Sequence, residues 1–214
     1  MVAPLPNAKG PAAPNIDSLP SLAPVTLIIG GARSGKSKHG EALIENCRDG
    51  DGAKPLYIAT AEAGDGEMAA RIEKHKRRRG VRWETLEEPL EIAAALEANG
   101  RADRAILIDC LTLWLSNLMG TGRDIAVETA RLLGALDHLE GPVVLIANEV
   151  GLGIVPEGAL AREFRDRAGV LNQAVAERAE RVVFMAAGLP MTIKDAAPLG
   201  ATMGLRAIGG GGGA

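Results

Sequence analysis

The chain has 214 residues, of which 47% are hydrophobic and 24% charged, with a net charge of −3 at neutral pH. That length fits one α/β domain with a small appendage, and the apolar fraction is ordinary for a protein that buries a real core. The acidic balance argues against a nucleic-acid-binding surface, no apolar run approaches the length of a membrane span, and no secretory leader is read at the N-terminus.

Aromatic residues make up only 2% of the chain, so Val, Ile, Leu and Ala must fill the core. Two cysteines, Cys47 and Cys110, are too few for a disulfide framework, and both are expected to be reduced thiols in a cytoplasmic protein. Residues 1–22 are rich in Pro and Ala without periodicity, which predicts a disordered N-terminal extension. The glycine run at the other end predicts a flexible tail over 208–214, leaving 23–207 as the folded domain.

Within that domain, apolar runs alternate with helical segments. Val25–Ile29 reads as a buried strand, followed by a helix from Ser37 to about Cys47 that stops at Asp49-Gly50-Asp51-Gly52. Leu56–Thr60 is a second apolar run, and Glu67–Arg79 a polar helix ended by Gly80, with Met68, Ile72 and His75 on one face. Val81–Thr85 reads as a strand and Leu90–Ala98 as a helix. Ala105–Asp109 is a strand closed by a carboxylate, with helices following over Leu111–Met119 and Ile125–Leu139. Pro142–Ala147 is a further strand, Leu160–Arg181 a long helix, and Val182–Ala187 the last central strand, on which Leu189–Lys194 can pair back. Apolar runs without alternation mean strands covered on both faces, hence a mostly parallel sheet in a three-layer α/β domain. Such a fold binds ligands beyond the carboxyl ends of its strands.

At one of those ends stands Gly30-Gly31-Ala32-Arg33-Ser34-Gly35-Lys36-Ser37, a match to G-x-x-x-x-G-K-[ST] at every fixed position. Between a strand and a helix N-terminus, its backbone N–H groups and the helix dipole would meet phosphates. Lys36 would reach the β- and γ-phosphates and Ser37 would hold Mg²⁺. Asp109 closes a neighbouring strand, where a carboxylate can join the Mg²⁺ shell, accept a proton from an attacking hydroxyl, or cap the next helix. Thr60 and Asn148-Glu149 are expected on the same edge. His75 stands among Arg71, Lys74, Lys76, Arg77, Arg78 and Arg79. A neutral imidazole is a good nucleophile towards phosphorus, and cationic neighbours attract a polyphosphate and disfavour protonation. A solvated basic helix or a nucleic-acid patch explains the same run. His39, just after the loop, competes with His75 and reads as structural; His138 lies in a polar helix end.

Five motifs occur in order: the loop Gly30–Ser37, Tyr57-Ile58-Ala59-Thr60, Glu67-Met68-x-x-Arg71-Ile72-x-x-His75, Asn148-Glu149-Val150-Gly151-x-Gly153-Ile154-Val155-Pro156, and Phe164-Arg165-Asp166-x-x-Gly169-x-x-Asn172-Gln173. Together they resemble the bifunctional adenosylcobinamide kinase / adenosylcobinamide-phosphate guanylyltransferase family over about residues 25–195. The resemblance implies a RecA-like phosphate-loop NTPase fold, a homotrimer, and two reactions using GTP or ATP with Mg²⁺. The first is phosphorylation of the aminopropanol hydroxyl of adenosylcobinamide. In the second, GMP passes from GTP through a guanylyl-histidine to adenosylcobinamide phosphate, giving adenosylcobinamide-GDP. By motif position His75 is the guanylylated residue; some members carry two adjacent histidines here, whereas this chain has Lys74-His75. Family-like nucleotide contacts fall on Gly30 to Ser37, Ala59, Thr60, Ala61, Lys76, Arg77, Arg78, Arg79, Glu87 and Asp109, with Lys36, His75 and Asp109 catalytic and Ser37 and Asp109 at the metal.

Three rivals remain. A simple small-molecule kinase would use the loop without His75. A GTPase-type switch lacks support, since Asp109-Cys110-Leu111-Thr112 has no glycine where D-x-x-G needs one and Asn148-Glu149-Val150-Gly151 does not supply N-K-x-D. A nucleic-acid-binding ATPase rests on Lys74–Arg79 alone and conflicts with the overall acidity.

Overall fold

The computed structural model describes residues 22–47, 53–61 and 80–196. The strands are β1 (Val25–Gly30), β2 (Leu56–Ala59), β3 (Glu84–Glu87), β4 (Ile106–Asp109), β5 (Val143–Asn148), β6 (Arg181–Ala186) and β7 (Leu189–Asp195). The helices are α1 (Lys36–Asn46), α2 (Ile92–Asn99), α3 (Leu111–Gly120), α4 (Ile125–Asp137) and α5 (Ala159–Arg178). They build one seven-stranded sheet in the order β3-β2-β4-β5-β1-β6-β7. Every neighbouring pair is parallel except β6 and β7. This is the expected mostly parallel sheet of an α/β domain. The whole of the expected helix over Glu67–Arg79, residues 1–21 and the tail over 208–214 lie outside the described residues. Leu22, the last residue assigned to the N-terminal extension, packs partly buried against the core.

The apolar runs are buried on both faces because each face has its own cover. On one, Leu27, Ile58, Ile108 and Leu145 meet α2 to α5 through Leu96, Trp114, Leu115, Leu132, Leu136, Leu171 and Val175. Leu132 and Leu136, like Leu171 and Val175, stand four residues apart, which puts each pair on one side of its helix. On the other face Ile28, Tyr57, Leu107, Val144 and Ile146 meet Ile44 of α1 and Trp83. The strands at the two sheet edges differ: β3 and β7 are largely exposed.

Two expected boundaries shift. The strand expected over Val81–Thr85 begins at Glu84, because Gly80, at φ +59°, turns the chain into a single 3₁₀ turn over Gly80–Arg82. Pairing with β2, in which Leu56 stands opposite Glu84, then sets the register, leaving Val81 in solvent and Trp83 buried. The long helix ends at Arg178 rather than Arg181, which already belongs to β6. Among the described residues, no helix is long and apolar enough to cross a membrane.

Helix α1 lies close on the sheet at Gly40, where an added Cβ would stand 3.0 Å from Leu107 Cδ1, 3.3 Å from Ile28 Cδ1 and 3.4 Å from Val144 Cγ1. Gly40→Val therefore overpacks this contact and is expected to cost about 1–3 kcal/mol, read as a lower midpoint in urea denaturation. Burial of His39 on the same helix lowers its pKa from the ordinary 6.5. The unfolded chain takes up this proton more readily than the folded one. The contribution of neutral His39 is thus complete above pH 6.5 and is lost as pH falls through the lower, folded value. Thermal melts from pH 8 to pH 5 should show a smaller acid-side decline in His39→Gln than in the parent.

Candidate active site

The sheet delivers the expected residues to its carboxyl edge. Gly30 ends β1 opposite Asn148 of β5 on one side and Met185 of β6 on the other. Ala59 ends β2 opposite Asp109 and Glu87. With β5 between β1 and β4, the loop, Asn148 and Asp109 share one stretch of the edge.

The loop is shaped by backbone that side chains resist. Gly30 has φ +149° and Gly35 φ +101°. A Cβ on Gly30 would come within 2.4 Å of the Met185 carbonyl oxygen, so no larger residue fits without displacing β6. Arg33 adopts φ +58° at the loop tip and is exposed. Below it, the turn between β6 and β7 supports the loop: Gly188 N–H donates to the Ser34 carbonyl at 3.1 Å. Gly35 is the N-cap of α1, and no side chain caps that helix.

Lys36 is buried, and its Nζ donates to the carbonyls of Gly30 at 3.0 Å and Gly31 at 2.7 Å. Ser34 is buried with its hydroxyl lacking a hydrogen-bond partner. A buried hydroxyl in that condition is costly unless an acceptor is supplied, and a phosphate oxygen is one. An uncapped helix start, glycine backbone, a buried ammonium and an unspent hydroxyl together fit a polyphosphate.

Asp109 is where the elements meet. Its Oδ2 accepts a hydrogen bond from Ser37 Oγ at 2.6 Å and another from Tyr57 OH at 2.7 Å. The helix-capping alternative is not realised, since Cys110 occupies the N-cap of α3 and no side chain caps that helix. Because Ser37 donates its proton to the carboxylate, its oxygen lone pairs stay available to a cation. Among the described residues no three of His, Cys, Asp and Glu cluster as metal ligands. Mg²⁺ needs only one or two protein oxygens together with substrate phosphates, and Ser37 and Asp109 could supply them.

Thr60 is wholly buried, and its hydroxyl donates to the Cys110 carbonyl and accepts from Cys110 N–H, both at 2.8 Å. Its N–H donates to the Asp109 carbonyl at 3.1 Å, and its own carbonyl accepts from Asn117 Nδ2 at 2.9 Å. Thr60 thus ties β2 to the start of α3 and holds Asp109 through the backbone. Thr112 does the same for β5, its Oγ1 accepting from Asn148 N–H at 2.6 Å. Burial pushes the Cys110 thiol up to about 11, which keeps it an inert packing group.

Ala61 follows Thr60 half-buried, while Glu87 is exposed at the end of β3. Glu149 N–H donates to the Gly30 carbonyl at 3.0 Å, and its carboxylate accepts from Gly151 N–H at 2.7 Å. His75, Lys76, Arg77, Arg78 and Arg79 lie outside the described residues. His39 sits half-buried on α1, consistent with a structural part. On the surface of α5, Arg165 pairs with the adjacent Asp166 and Arg167 with Glu163.

Sequence reasoning gave Tyr57, Thr112, Asn117 and Gly188 no part in this site. A signal was present for Tyr57: it is the only tyrosine, set in an otherwise apolar strand, and a buried phenol needs a partner.

A family profile described as cobinamide kinase / cobinamide phosphate guanyltransferase matches residues 26–193. The bifunctional adenosylcobalamin biosynthesis protein CobP of Pseudomonas aeruginosa is 51% identical over 170 residues, covering 78% of this chain and 96% of that protein. The bifunctional adenosylcobalamin biosynthesis protein CobU of Escherichia coli is 40% identical over 183 residues, with 78% and 98% covered. Among solved structures the chain is similar to the flagellar accessory protein FlaH of Methanocaldococcus jannaschii, at 11% identity, a TM-score of 0.49 and coverage of 82% and 80%. With the profile spanning most of the folded region, the chain belongs to the cobinamide kinase / cobinamide phosphate guanyltransferase family.

Proposed function

We propose that the protein phosphorylates adenosylcobinamide and then converts the product to adenosylcobinamide-GDP through a guanylyl-histidine on His75. The observation that carries the nucleotide half of this reading is the Ser37–Asp109 hydrogen bond at 2.6 Å beside a loop with a buried Lys36. In the kinase step the aminopropanol oxygen attacks the γ-phosphorus of ATP or GTP. The bond to the β-phosphate oxygen breaks, the hydroxyl proton passes to solvent water, and a nucleoside diphosphate leaves. Lys36 and the loop backbone offset the charge on the phosphoryl oxygens. Ser37 and Asp109 would hold Mg²⁺, which neutralises phosphate charge when bound.

In the guanylyl step an imidazole nitrogen of His75 attacks the α-phosphorus of GTP. A P–N bond forms and pyrophosphate leaves, its charge met by Lys76, Arg77, Arg78 and Arg79. A phosphate oxygen of adenosylcobinamide phosphate then attacks the same phosphorus and the P–N bond breaks, restoring the histidine. The covalent detour divides one difficult transfer into two easier ones. Ala59, Thr60, Ala61 and Glu87 complete the nucleotide side of the cleft in this reading, Thr60 by positioning Asp109.

The working unit is proposed to be a homotrimer acting in the cytoplasm on a corrinoid, without nucleic acid. Exposed apolar residues support an assembly: Leu189, Met191 and Ile193 alternate along β7, and Leu152 and Ile154 stand in the loop after β5. Cys47 and Cys110 as reduced thiols suit a reducing compartment. Sedimentation should give a mass three times that of the chain; a monomer would remove this part of the reading.

The chemistry is tested by incubating the protein with GTP labelled at the α-phosphate. Covalent label that is acid-labile and alkali-stable is expected in the parent and absent in His75→Ala; equal labelling of the variant overturns the assignment. Lys36→Ala should lower both the labelling rate and γ-phosphoryl transfer to adenosylcobinamide, each by about 10²-fold or more. Loss of phosphoryl transfer with labelling unchanged would instead mean that the two reactions use separate nucleotide sites.

A further inference from the structure

Tyr57 is the one phenol in the chain, and it is 5% exposed. Its hydroxyl donates to Asp109 Oδ2 at 2.7 Å, the same oxygen that accepts from Ser37 at 2.6 Å. The ring is fixed independently of that bond. It meets Trp83 edge-on, with centroids 6.3 Å apart and planes at 80°. Trp83 is in turn anchored by its indole N–H to Glu45 Oε1 at 3.0 Å, in the last turn of α1. The helix that begins at the phosphate loop thus clamps, from its far end, the side chain that holds the carboxylate.

We propose that Tyr57 is a positioning residue that sets Mg²⁺ affinity at the nucleotide site by fixing the Asp109 carboxylate as the acceptor for Ser37. The inference rests on the reading of Ser37 and Asp109 as the metal side of that site. Without the phenol, Asp109 can rotate about its side-chain bonds and the Ser37 proton loses its fixed acceptor. The serine oxygen is then no longer oriented towards the cation. With the phenol in place, Oδ2 receives two O–H donors, which fix the orientation of the carboxylate. Asp109 thus serves as an acceptor that orients Ser37.

The test is Tyr57→Phe in the full-length protein, which removes one oxygen and keeps the ring against Trp83. GTP binding is measured by calorimetry across a Mg²⁺ series and again in excess chelator. The expected result is a Mg²⁺ requirement raised about 10-fold or more, the range known for partners that orient metal ligands, with chelator-state binding unchanged. An unchanged Mg²⁺ requirement overturns the proposal. So does an equal loss with and without Mg²⁺, or a variant that no longer folds, since each makes the phenol a structural group only. In an Asp109→Asn background, Tyr57→Phe should shift the Mg²⁺ requirement no further; an additive shift means that Tyr57 does not act through Asp109. Failure of the parent to bind GTP more tightly with Mg²⁺ would refute the nucleotide-site reading itself, and a negative labelling result at His75 leaves this titration unaffected.

Discussion

Asp109 Oδ2 is the point on which the active edge depends. Three elements converge on this oxygen: β4 through the residue itself, β2 through Tyr57, and the loop helix α1 through Ser37. A parallel sheet buried on both faces has no place for an unpaired carboxylate within its layers, so charge can stand only at strand ends. There the cost of partial burial is offset by two O–H donors, and the same bonds fix the distance between β2, β4 and the loop. Thr60 and Thr112 extend the arrangement through their hydroxyls, Thr60 tying the Cys110 backbone to the end of β2 and Thr112 tying the Asn148 N–H to the start of α3. The polar groups of the edge are therefore ordered by one another. A substrate entering such a site meets groups whose orientation entropy is already lost, which is what electrostatic stabilisation of a transition state requires.

Much of this was legible in the residues. Apolar runs without alternation, such as Leu107-Ile108 and Val143–Ala147, identified strands with cover on both sides, and the loop motif located the edge that binds. What was not legible has physical causes. The start of β3 depended on pairing with β2 and on a positive φ at Gly80, neither of which is written in the local pattern Val81–Thr85. The part taken by Tyr57 depended on a partner 52 positions away, brought near only by the strand order. Thr60 was placed correctly at the edge, but its hydroxyl faces the Cys110 backbone, a direction that depends on where α3 begins. The spacing of charges on α5 likewise did not show that Arg165 and Arg167 pair with their own neighbours.

Family membership and geometry contribute different things. The profile match over residues 26–193 assigns the chain to enzymes that perform two phosphorus chemistries on one corrinoid. The described residues supply a loop whose geometry fits a polyphosphate, with a carboxylate beside it. They also show why the cradle resists variation: a Cβ at Gly30 would enter the Met185 carbonyl, and the turn at Gly188 holds the Ser34 carbonyl from below. The loop is thus built as much by β6 and its turn as by its own motif.

The scarcity of aromatic residues has a spectroscopic consequence. The two tryptophans lie on opposite faces of the sheet, Trp83 beside Tyr57 and α1, Trp114 in the layer of α2 to α5 with its indole N–H donating to the Leu90 carbonyl. Each is buried in its own apolar layer, so intrinsic fluorescence divides into two spatially separate signals. Emission from Trp83 reports the ring contact behind Asp109, and emission from Trp114 reports the integrity of the helical layer. A chain with one tryptophan replaced becomes a single-channel reporter of either the site or the scaffold.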